Sequence, residues 1–106
     1  MKLSDFIKKN IDLYQIEYRV HATRRMFQRN ISEDEVEFVL VHGEIIENYT
    51  DDFPLPSVLV NGCTPAKNRL HLVVGINDSE KIIVVITAYN PSEEKWDMNF
   101  SRRKTK

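Results

Sequence analysis

Apolar residues recur at roughly helical spacing over residues 4–16, where Phe6, Ile7, Ile11, Leu13 and Tyr14 alternate with polar positions and Ser4 stands where a cap belongs. A second helix is predicted over 21–29, with Asn30 placed to end it in the left-handed conformation. Ser32 with Glu35 three residues on is a capping box, and it opens a third helix whose apolar face is Val36, Val39 and Leu40. Gly43 is expected to end that helix as its C-terminal glycine. Beyond Gly43 the period changes to that of strands. Glu44–Thr50, Ser57–Asn61, Arg69–Ile76 and Lys81–Tyr89 predict four of them, separated by a turn-rich stretch with Pro54 and Pro56, a loop over Gly62–Asn68, and the hairpin signal Asn77-Asp78-Ser79-Glu80. Ile82–Ile86 is apolar at both parities, so that strand is expected to be covered on both faces. Helices first and strands after predict an α+β fold, with N-terminal helices packed on a four-stranded antiparallel sheet.

Length and composition narrow this picture without changing it. A chain of 106 residues, 42% hydrophobic and 29% charged, reads as one globular domain spanning 1–106, with no repeat or linker. The longest apolar run, Ile82–Ile86, is far too short to span a bilayer, so no membrane association is expected. A lone cysteine, Cys63, makes no internal disulfide and fits a cytoplasmic location.

The charge balance of 15 basic to 16 acidic residues argues against a surface that binds nucleic acid everywhere, so any such site is local. The cations do cluster, at Arg19, Arg24, Arg25 and Arg29 and again at Arg102, Arg103, Lys104 and Lys106 in a basic tail. On a helical wheel His21, Arg24, Arg25, Gln28 and Arg29 fall within an arc of roughly 140°, with Ala22, Met26 and Phe27 opposite. No carboxylate shares the polar arc, and like charges stand four residues apart, where repulsion is expected. Two readings stand at this point: a site for an anion, or a solvated face neutralised by Glu33, Asp34, Glu35 and Glu37 of the next helix.

Other candidates are thinner. His71 lies in a strand among apolar neighbours, and Tyr89 closes the last strand before Asn90-Pro91; an even hairpin register would put both on one face with Thr87. Trp96 is either a lid over the sheet edge or a platform for a base. His42, in the last turn of the capped helix, suits the helix dipole. Three histidines without ligand spacing predict no metal site, and glycine-rich phosphate loops are absent.

At these residues the chain resembles the small bacterial proteins grouped as domain of unknown function 4258. The resemblance is carried by His21-Ala22-x-x-Arg25-Met26-x-x-Arg29-x-Ile31-Ser32, Val39-Leu40 with Gly43-Glu44-Ile45-Ile46, Leu70-His71-Leu72-Val73-Val74, Ile86-Thr87-Ala88-Tyr89-Asn90-Pro91 and Trp96, over about residues 20–97. It implies a fold similar to the RelE and ParE toxins of the barnase–EndoU–colicin–RelE group. By that analogy the activity is metal-independent RNA cleavage without a cofactor, and the partners are RNA and an antitoxin protein. His21 would then serve as proton-transfer group, Arg25 and Arg29 as phosphate clamp, Arg24 as backbone contact, and His71 or Tyr89 as the second proton-transfer group. The alternative is a non-catalytic module that holds a protein or an RNA on the His21–Arg29 helix face. An enzyme for a small anionic metabolite, the third possibility, would need a closed pocket.

Overall fold

The computed structural model describes residues 1–51 and 54–92. In chain order it holds α1 (Leu3–Ile7), a 3-10 turn (Ile11–Leu13), β1 (Gln15–Tyr18), α2 (Val20–Arg29), α3 (Glu33–His42), β2 (Glu44–Tyr49), β3 (Ser57–Cys63), β4 (Arg69–Asn77) and β5 (Ile82–Tyr89). Among the described residues the sheet has five strands in the order β1-β5-β4-β3-β2. The expected four strands are all present and pair antiparallel in sequence, and β1 joins them parallel to β5, with Gln15 opposite Ile82 and Tyr18 opposite Val85.

That fifth strand corrects the expected helix over 4–16. The helix stops after Ile7, because Lys8 adopts the left-handed conformation (φ 57°). Ser4 lies inside α1 instead of capping it. The Asn10 side chain then accepts from the Asp12 backbone N–H at 3.0 Å and opens the 3-10 turn. From Gln15 the burial alternates, Gln15 and Glu17 outward, Ile16 and Tyr18 inward, which is a strand period. With β1 on one side and β4 on the other, β5 is an interior strand, which accounts for its apolar residues at both parities.

The local signals of the two longer helices are realised. Asn30 is left-handed (φ 57°, ψ 41°) and ends α2, and Ser32 and Glu35 make the reciprocal capping box of α3. Gly43 caps α3 but in an extended conformation (φ −76°, ψ 178°), so the left-handed glycine ending does not occur. Its role is steric: a Cβ there would lie 2.7 Å from the Val39 carbonyl oxygen and 2.8 Å from that of Asn61. Gly62, expected in a loop, is part of β3 and lets Val39 sit against the strand.

The three helices share one face of the sheet. Ala22 and Met26 of α2, Val36, Val39 and Leu40 of α3 and Leu3 and Ile7 of α1 form one core with Val58, Val60, Leu70, Leu72, Val74, Ile83, Val85 and Ala88. By strand alternation Arg69, His71, Val73 and Gly75 of β4 point the other way. A bulge keeps this segregation across the β4–β5 pair: Val73 faces Thr87 while Val74 faces Val85, leaving Ile86 as the extra residue.

The N-terminal segment is tied to the β4–β5 turn by Asp78, which accepts from the Tyr14 hydroxyl and pairs with Lys9 at 3.2 Å. The Tyr14 hydrogen bond first, and then the Lys9 ammonium, holds the Asp78 carboxyl below its ordinary range. A carboxyl lowered in the folded state adds stability above its unfolded pKa and loses it as pH falls through the folded one. Asp78→Asn should therefore flatten the acid limb of a stability-versus-pH curve while leaving the fold intact, as read by urea unfolding across the acid range.

Candidate functional site

The geometry of α2 divides its polar face in two. Its buried direction is set by Ala22 and Met26. Relative to it, His21, Arg25 and Arg29 follow one another at four-residue spacing down one flank, His21 and Arg29 exposed and Arg25 partly covered. On the other flank Val20, Thr23, Arg24 and Phe27 point to solvent, Val20 68% and Phe27 87% exposed. Phe27 is thus not part of the apolar face expected for it. It stands about 100° beyond Met26 on the wheel, past the edge of the sheet contact.

Among the described residues, no ion pair joins His21, Arg24, Arg25 or Arg29 to a carboxylate. The acids at the start of α3 act elsewhere. They approach Tyr18 of β1, whose phenol is pushed up by burial first and then by Glu33, Glu37 and Asp34. Its hydroxyl is buried and, among the described residues, has no hydrogen-bond partner. The α2 cations are thus left without a direct carboxylate partner among the described residues, and two features of the helix start also favour an anion there. The first turn carries no acid, and no side chain caps it, so its backbone N–H groups and dipole favour an anion at the His21 end.

His71 and Tyr89 come together, but not with α2. They are direct cross-strand partners, with His71 Nδ1 and the Tyr89 hydroxyl hydrogen-bonded at 3.1 Å and the rings edge to face at 5.3 Å. His71 is fully buried. Both lie on the sheet face turned away from the helices, as does Thr87, which is the even register. The sheet therefore stands between this pair and His21, Arg25 and Arg29, and the five residues do not form one site. In register, His71 continues through Asn61 of β3 to Glu44 of β2, a polar row that single-residue scanning misses and strand parity would have exposed. A cavity of about 400 Å³ lined by Glu44, Asn61, Cys63, Arg69 and His42 adjoins that row. Trp96 and the basic tail lie outside the described residues, as do Asp52 and Phe53. Among the described residues, no group of three His, Cys, Asp or Glu side chains is placed to hold a metal ion, and no helix is long and apolar enough to cross a membrane.

Fold and site together define a small α+β domain with a mixed sheet and one cationic helix on its helical layer. Residues 18–90, from the end of β1 to the end of β5, match the family described as domain of unknown function (DUF4258), and the chain belongs to that family. In the same comparisons no curated protein and no solved structure matches it.

Proposed function

We propose that this chain binds RNA, with the phosphate backbone lying along the His21–Arg25–Arg29 flank of α2. The observation that carries the reading is that this flank presents His21, Arg25 and Arg29 beside the neutral Gln28, open to solvent or partly so, with no acid among them, and that no carboxylate within the described residues pairs with these cations. Arginine forks suit phosphate oxygens, and the uncapped helix start adds N–H donors at the same end. The family is the one the sequence motifs carry, and the analogy to RelE and ParE toxins that it implies is our ground for taking RNA as the polyanion. The open helix surface does not offer the closed pocket a small metabolite needs.

The test is anisotropy of a labelled single-stranded RNA across a salt series. Arg25→Ala and Arg29→Ala should each weaken binding by roughly 3–10-fold and each reduce the slope of log affinity against log salt by about 0.7, the value for one phosphate contact on a single strand. Affinity indifferent to both salt and these substitutions would sink the proposal.

A second reading, toxin-like metal-independent cleavage by an enzyme held in check by an antitoxin, is favoured by one observation: His21 shares the flank with Arg25 and Arg29. There the imidazole would take the 2′-hydroxyl proton while the guanidinium groups hold the charged phosphorane. Because His71 and Tyr89 lie across the sheet, water or a group of the RNA would have to serve the leaving oxygen.

A further inference from the structure

We infer that the outer face of the α2–α3 layer is self-complementary and pairs two copies of this chain. The inference does not rest on the RNA reading, which uses the other flank of α2. It begins from what the two helices leave exposed. On α2, Val20 (68% exposed) and Phe27 (87%) stand seven residues apart with Arg24 between them. On α3 the buried side is Val36, Val39 and Leu40, so Asp34, Glu37 and Val41 form the opposite stripe, and Val41 is 43% exposed. Both stripes belong to the same layer, because both helices pack on the same sheet face.

Charge identifies the occupant. The α2 stripe is cationic and apolar, and the α3 stripe is anionic and apolar. Within one chain the two do not neutralise each other, since among the described residues no ion pair links α2 to α3. A two-fold axis between the helices would set α2 of one copy on α3 of the other, and the same contact would be made twice. Arg24 then meets the Asp34 and Glu37 carboxylates of the second copy, and Phe27 loses its contact with water near the axis. Two ten-residue helices, each roughly 15 Å long and about 10 Å across, present a combined footprint on the order of 300 Å². That is below the roughly 800 Å² per partner of a stable complex, so the dimer is weak, concentration-dependent and salt-sensitive.

Sedimentation velocity of the full chain, run from low to high micromolar concentration in low and high salt, tests this. The expected result is a monomer–dimer equilibrium weakened about tenfold by high salt. Phe27→Glu, at a position too exposed to affect the core, abolishes it with an unchanged circular dichroism spectrum. Arg24→Glu weakens it, and adding Asp34→Lys and Glu37→Lys, which exchanges the charges across the contact, restores it. A chain that stays monomeric throughout overturns the inference, as does a dimer indifferent to salt and to Phe27→Glu. A monomer whose RNA affinity falls on Phe27→Glu, or one that binds an acidic peptide through Phe27, assigns the face to another partner and overturns it equally.

Discussion

Gly43→Ala is expected to lower stability by about 3 kcal/mol, near the upper end for overpacking a close contact. Backbone strain is not the reason, since φ −76° and ψ 178° suit alanine. The obstacle is space. The added Cβ would come within 2.8 Å of two carbonyl oxygens, one of Val39 in α3 and one of Asn61 in β3, and within 2.9 Å of Val60 Cγ1. Carbonyl oxygens fixed in a helix and a strand cannot swing aside as a flexible side chain can. Relief requires α3 to lift from β3, where Val39 and Leu40 are fully buried. For a domain of this size such a loss lowers the melting temperature by roughly 12–24 °C. Gly75→Ala is the control: its Cβ meets only ordinary contacts at 3.5 Å, and relief of glycine's backbone entropy leaves it within about 0.5 kcal/mol of wild type. Urea melts of the two variants that coincide would show that the approach of α3 to β3 does not decide stability.

The same glycine shows how much of the fold was legible. A capping box and a helix-ending asparagine are signals made by residues three or four apart, so α3 and the end of α2 could be placed from the sequence. Part of the reason for Gly43 lies in Val60 and Asn61, on another strand, and no local signal encodes that part. β1 was lost for the same reason. Gln15-Ile16-Glu17-Tyr18 alternates, but the strand exists because β5, from the other end of the chain, offers it an edge. On the candidate site, His21, Arg25 and Arg29 were readable as one cationic flank from their spacing. The side on which Phe27 would fall was not, because Ala22 and Met26 alone set the buried direction and a ten-residue helix leaves that direction to its tertiary contacts. The separation of His71 and Tyr89 from α2 needed two facts together: that both longer helices cover one sheet face, and that Leu70 and Leu72 point toward them. The second was visible as alternation around His71; the first was not.

If the chain cleaves RNA, His21→Ala should lower the rate by roughly 10²–10⁴-fold, the usual contribution of one general acid–base group, while RNA affinity falls by less than about threefold. The split follows from the division of labour on the flank. Arg25 and Arg29 hold the phosphate of the substrate and hold the more highly charged phosphorane more strongly, so their loss raises KM and lowers kcat together. The imidazole acts on a proton that moves only in the transition state, so its loss appears in kcat. Tyr89→Phe provides the spatial control. Its hydroxyl bonds His71 on the far face of the sheet and cannot reach a phosphate held by α2, so its rate is expected to stay within about threefold of wild type. Single-turnover cleavage with saturating protein separates the outcomes. A Tyr89→Phe loss equal to that of His21→Ala would move the chemistry to the opposite sheet face, with the row of Glu44, Asn61 and His71 as its site. Binding without turnover in the wild type would leave the flank as a binding surface alone, since arginine forks hold a phosphate diester whether or not a base stands beside its 2′-hydroxyl.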